Sequence, residues 1–285
     1  MTRFEQFIIA TISISVVAGF VIDSNTPTES ASESHAEIQA ETQTKAKPAA
    51  STVTVSDVAF VEKRKIPASK KQFYSSLLPH IENENRKLAS ARAELIEIQK
   101  TLESKETLSE QSWDRVSELS KTYRVSNSAP TDSPHTDMHQ KVIDQLLIKV
   151  DYIPASLALS QSANESAWGR SRFATEANNY FGIWCFNPGC GVVPKGRPAN
   201  KTYEVTRYAS AEASVTAYFT NINSHPAYAD LRKIRADLRT QNKPITGTEL
   251  AAGLTRYSAR GDAYIEELRA MIRYNKLEGI TIETL

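Results

Sequence analysis

The strongest constraint on the fold of this 285-residue chain is a short stretch, residues 155–168, reading ASLALSQSANESAW. Small and apolar side chains dominate it, and Glu165 is its only ionisable group. A helix of that composition has no charged face to present to water, so other elements must enclose it. The flanking sequence supplies them. Val142, Ile143, Leu146, Leu147 and Val150 mark one helix, ended before Pro154. Val215, Tyr218, Phe219 and Ile222 mark another behind a Ser210 cap, and Tyr228, Leu231, Ile234 and Leu238 a third. Ile265, Leu268 and Ile272 mark the last, all at helical spacing. Only residues 182–202, rich in Gly, Pro and Asn, break the pattern. The expected fold is mainly α: an α-rich domain over residues 137–285 with one small β or irregular insert.

Upstream, Ile81, Leu88, Leu95 and Leu102 recur every seven positions, while Glu84 and Lys105 interrupt the companion stripe. That pattern fits a long helix laid on the main domain better than a coiled coil. Thr107 and Glu110 offer a capping box for a second helix, with Trp113, Val116, Leu119 and Tyr123 on its apolar side. Residues 70–124 therefore read as a helical N-terminal extension packing on the main domain. Residues 7–22 (FIIATISISVVAGFVI) carry no charge. They are short for a spanning helix, which needs roughly 17–25 residues, and no clean small-x-small cleavage site follows. Residues 1–22 are thus read as a signal-anchor or a signal peptide. In residues 23–52 Ile38 is the only large apolar side chain, so residues 23–69 are read as a disordered linker. An apolar terminus, a polar tether and a folded remainder describe an exported protein held at a membrane.

The net charge of +1 argues against a protein that coats nucleic acid. From residue 139 onward 18 basic and 14 acidic residues give a mild surplus, suited to an anionic polymer. Five histidines and two cysteines leave little material for a metal site. His135 and His139 have helical spacing but lack a third ligand, so neither metal nor cofactor is expected. Cys185 and Cys190 enclose Phe-Asn-Pro-Gly inside the insert. In an exported chain, which meets oxidising conditions, a disulfide is favoured there over two free thiols.

Leu157, Gln161 and Glu165 share one helix face. A carboxyl near the end of a buried helix, beside Trp168, should lose solvation, and its pKa should rise. A carboxyl kept protonated near neutral pH is what a general acid requires. Composition alone leaves open the competing reading, an exposed glutamate on the last turn.

Gln161 through Gly182 supplies, in order, a Gln-x-x-x-Glu-Ser-x-Trp-Gly-x-Ser run and then Asn-Asn-x-Phe-Gly. This resembles the catalytic helix and following turn of the bacterial peptidoglycan glucosaminidases, family 73 of the glycoside hydrolases, whose fold is lysozyme-like. The resemblance continues through TRYASAEASVTAYFTNINSHPAYADLR and LTRYSARGDAYIEELRAMI. It implies an endo-β-N-acetylglucosaminidase that cleaves the β-1,4 bond after N-acetylglucosamine in peptidoglycan glycan strands, and together with the N-terminal segments it gives a periplasmic protein tethered to the inner membrane. Glu165 would be the proton donor, and Tyr257 would point into the cleft with a catalytic role. Gln161, Trp168, Asn179, Phe181, Tyr208 and Tyr264 would contact substrate. For both tyrosines of the C-terminal motif, core packing with a satisfied hydroxyl is the competing reading. The chain departs from the fuller pattern at the second carboxylate, because no Asp or Glu occurs between Glu176 and Glu204. Glu204 is the best remaining candidate, and assistance by the sugar's own N-acetyl group is the alternative. A lytic transglycosylase or muramidase on the same fold, or a non-catalytic wall-binding protein, also fits the sequence.

Overall fold

Residues 68–126, 135–258 and 260–284 are described by a computed structural model. The apolar run and residues 23–67 of the expected linker lie outside the described residues, while the linker's last two residues, 68 and 69, belong to the first helix. Among the described residues no helix is long and apolar enough to cross a membrane.

The first helix, α1 (Ala68–Glu103), has 36 residues and so runs about 54 Å at the usual rise. Its heptad residues Ile81, Leu88, Leu95 and Leu102 are all buried, and so is Glu84. The Glu84 carboxylate accepts from Lys87 Nζ at 2.7 Å and Thr216 Oγ1 at 2.9 Å, so the polar break in the stripe is buried but satisfied. The second helix, α2 (Glu110–Thr122), is capped by Ser109, whose hydroxyl accepts from the Ser112 N–H, and not by Thr107 as the capping-box pattern predicts. Starting there places the buried Leu108 just before the cap, where an apolar residue fixes the entry of the chain.

The enclosure required by residues 155–168 is present. Helix α4 (Ala155–Glu165) buries every residue from Ser156 to Ala163. Against it pack α1, the short α8 (Gly247–Leu250) and α9 (Asp262–Tyr274), while α1 also packs on α3 (His135–Lys149) and α6 (Ala211–Ser224). Asp151, in the turn between α3 and α4, is nearly inaccessible and meets Arg92 of α1 together with Arg235 and Arg239 of α7 (Ala229–Thr240). Burial alone would raise its pKa, but the three guanidinium groups hold it below the ordinary carboxylate value.

The short α5 (Arg172–Ala177) is capped by Ser171 and ends on Asn178 in the left-handed conformation, φ 51°. The insert follows as a three-stranded antiparallel sheet of β1 (Trp184–Cys185), β2 (Gly191–Val192) and β3 (Glu204–Thr206), with β3 in the centre. Cys185 lies opposite Glu204, and Gly191 opposite Thr206. A Cβ at Gly191 would sit 1.9 Å from the Val205 carbonyl oxygen, so only glycine permits this strand pairing. The fold is an α-rich domain with a small β insert.

Candidate active site

Glu165 is the last residue of α4, and it is 9% exposed. Two effects disfavour its charged form: loss of solvation, and the negative end of the helix dipole. Burial is the dominant cause, and it pushes the carboxyl from the ordinary 4.5 up to about 8. Hydrogen bonds from Tyr264 and Asn164 pull in the opposite direction, while the charges of Glu267 and Arg260 act with opposite signs. Tyr264 Oη donates to Glu165 Oε1 at 2.9 Å, and Asn164 Nδ2 donates to the same oxygen at 3.3 Å. The other oxygen, Oε2, faces Gly182, where a Cβ would lie 3.6 Å away. Gly182 has φ +64°, which glycine adopts without strain. The arrangement is a protonated acid near neutral pH, with one oxygen engaged and the other beside a residue that has no side chain.

Gln161, one turn earlier on α4, is fully buried. Its Nε2 donates to Tyr264 Oη at 3.1 Å, and its Oε1 accepts from Tyr218 Oη of α6 at 2.6 Å. Tyr264, on α9, stacks on Tyr257 with ring centroids 5.4 Å apart and 8° between planes. Tyr257 is 1% exposed and donates to the Phe181 carbonyl at 2.7 Å. The expectation that Tyr257 reaches the cleft is therefore corrected: its hydroxyl is spent on backbone, and Tyr264 is the tyrosine that touches Glu165.

Several residues read as substrate contacts turn out to be internal. Phe181 is 1% exposed and stacks on Tyr218 at 4.1 Å and 14°. Asn179, equally buried, donates to the Ile183 and Thr206 carbonyls at 2.8 and 2.9 Å and accepts from the Ile183 N–H at 3.1 Å. It thus pins the turn after α5 to β3, because those backbone groups need partners once buried. Gln161 and Tyr264 are as described above. Half-buried Trp168 (φ 59°) packs on Tyr74 and Phe73 of α1, at 5.4 and 6.0 Å, with Lys70 Nζ 4.0 Å over its ring. The N-terminal helix therefore clasps the turn that follows Glu165. Tyr208 is half-buried, and burial pushes its hydroxyl up to about 12. Its backbone N–H donates to Ala177 and its carbonyl accepts from Asn178 Nδ2.

Glu204 is the first residue of β3, in the insert. Its carboxylate accepts the backbone N–H groups of Gly189 at 3.0 Å and Gly191 at 2.8 Å, with Arg197 at 4.0 Å. Those hydrogen bonds, and then Arg197, hold it below the ordinary glutamate value. It anchors the turn between β1 and β2. Cys185 and Cys190 close the same turn as a disulfide. Sequence reasoning missed Tyr218 as part of the site, since it lies on an apolar stripe and reads as core. No local signal pairs it with Gln161.

Residues 141–277 match the Glucosaminidase family, described as mannosyl-glycoprotein endo-beta-N-acetylglucosaminidase. The chain therefore carries a glycosidase domain, a class whose substrates are glycans. It is also similar to Protein bax of Escherichia coli (strain K12), at 33% identity over 217 residues, which cover 75% of this chain and 73% of that protein. No solved structure matches. The chain belongs to the Bax-type family of glucosaminidase-domain proteins.

Proposed function

We propose that this chain is an endo-β-N-acetylglucosaminidase of glycoside hydrolase family 73 that hydrolyses the β-1,4 bond after N-acetylglucosamine in peptidoglycan. The observation that carries this reading is the buried Glu165 carboxyl at the end of α4, held protonated up to about pH 8. Glu165 gives its proton to the glycosidic oxygen as the bond to the anomeric carbon breaks. The bonding pair leaves with that oxygen. The second role falls to the substrate's N-acetyl oxygen, because Glu204 is committed to the insert. That oxygen bonds to the anomeric carbon as the leaving oxygen departs, and water then displaces it while giving a proton back to the Glu165 carboxylate. Oε2, which faces Gly182, is the oxygen that meets the leaving oxygen. The reaction needs no cofactor. The chain works in the periplasm, tethered to the inner membrane by residues 7–22, a location that the disulfide of the insert suits.

The test is digestion of purified peptidoglycan by the full chain, followed by mass analysis of the fragments. Fragments ending in reducing N-acetylglucosamine, each heavier by one water, are expected. Anhydro-sugar products, reducing ends on the other sugar, or wall binding with no release would overturn the reading.

A further inference from the structure

The hydrogen bonds around Glu165 run in one direction. Tyr218 donates to Gln161 Oε1, Gln161 Nε2 donates to Tyr264, and Tyr264 donates to Glu165 Oε1. A hydroxyl carries one proton and a side-chain amide has a distinct donor and acceptor end, so the first bond sets the sense of those that follow. With its amide turned the other way, Gln161 would draw the Tyr264 proton toward itself and away from Glu165. Two ring stacks close the chain on itself. Tyr257 stacks on Tyr264 and donates to the Phe181 carbonyl, and the Phe181 ring stacks on Tyr218. Gln161, Tyr218, Tyr257, Tyr264 and Phe181 are each at most 1% exposed, so the loop has little freedom to rearrange.

Oε1 of Glu165 receives both Tyr264 and Asn164, whereas Gly182 is the residue beside Oε2. A carboxylic acid carries its proton on one oxygen, and an oxygen already accepting two donors is the poorer place for it. We propose that Tyr218, Gln161 and Tyr264 act as positioning residues, a directed relay that pins Oε1 of Glu165 as an acceptor and leaves the transferable proton on Oε2, beside Gly182. This deepens the reading of Glu165 as the acid and rests on it. When the proton passes from Oε2 to the glycosidic oxygen, the carboxylate left behind keeps the Tyr264 hydrogen bond, which strengthens as its acceptor becomes charged. The relay thus assists departure of the proton as well as its placement.

The titratable and charged groups facing Glu165 are Tyr264 and Glu267 of α9, Tyr218 of α6, and Tyr228, Tyr257 and Arg260 from the neighbouring turns. Burial raises all four tyrosines above their ordinary value, so they stay neutral while Glu165 titrates.

The test is a carbon-13 titration of the Glu165 carboxyl in the full chain, its signal assigned by its loss in Glu165→Gln. Tyr264→Phe keeps the ring and removes the donor. The midpoint should rise by about one pH unit, a tenfold change in proton affinity. A midpoint that stays put or falls would overturn the relay. On peptidoglycan, Tyr264→Phe should lower kcat with KM nearly unchanged, and Tyr218→Phe should do the same to a smaller degree. A raised KM at constant kcat would overturn the relay in favour of substrate contacts. Substantial hydrolysis by Glu165→Gln would instead defeat the reading of Glu165 as the acid. An inactive Glu165→Gln beside an unmoved Tyr264→Phe midpoint would defeat the relay alone.

Discussion

Glu165 and Glu204 are both nearly inaccessible glutamates, yet their surroundings push them in opposite directions. Glu165 ends a helix among tyrosines, and burial raises its pKa to about 8. Glu204 sits in a small sheet where two backbone N–H groups and Arg197 lower its pKa. The difference lies in what the carboxylate is offered. Amide donors aimed at both oxygens favour the ion and turn it into a structural tie, whereas burial with both donors on one oxygen leaves a proton to give. A carboxylate's place in the sequence does not decide between these fates; its donors do.

The largest effect should come from Glu165→Gln. The amide cannot deliver a proton, and general acid catalysis contributes roughly 10²–10⁴-fold. Hydrolysis of peptidoglycan should fall by that factor while wall binding persists. Retention of more than about a tenth of the activity would break the comparison at its first member, judged against that range.

The same substitution should change how stability depends on pH. Below the ordinary value of 4.5 the group is protonated whether the chain is folded or not. Between 4.5 and about 8 the folded state keeps a proton that the unfolded chain releases, so the wild type loses stability as pH rises through that window. Glu165→Gln lacks this loss and should gain on the wild type by on the order of a few kcal/mol by pH 9. Urea unfolding at pH 4, 6.5 and 9 measures it, and parallel pH curves for the two proteins would contradict the burial argument. A smaller change is expected at the insert. Replacing Cys185 and Cys190 by serine opens a short loop and should lower stability by ~2 kcal/mol, with less effect on turnover than Glu165→Gln. An unchanged melting transition would mean that the Glu204 anchor holds the turn unaided.

Much of this architecture was legible because it follows from periodicity. The apolar stripes mark α1, α3, α4, α6, α7 and α9, and the enclosure of residues 155–168 follows from their lack of charge. Glu165 stood out as the single ionisable group on a helix that had to be buried. What stayed hidden depends on groups that sequence does not display. Nothing in the sequence around Glu204 shows its partners, because they are the backbone amides of Gly189 and Gly191, set by strand register. Tyr218 read as core, and its donation to Gln161 exists only once α6 packs near α4. Tyr257 read as the tyrosine nearer the chemistry, but its hydroxyl goes to the Phe181 carbonyl and the hydroxyl of Tyr264, stacked on it, goes to Glu165. Ser109 rather than Thr107 caps α2, which puts the buried Leu108 just before the cap.

The most direct test sets Glu204→Gln beside Glu165→Gln on the same peptidoglycan, reading initial rates of reducing-end release. Glu204→Gln is expected to stay within about tenfold of the wild type, well short of the loss of a general acid or base, while Glu165→Gln falls by at least about a hundredfold. Equal collapse of both variants, with Glu204→Gln still folded, would contradict this expectation by showing that two protein carboxylates share the chemistry.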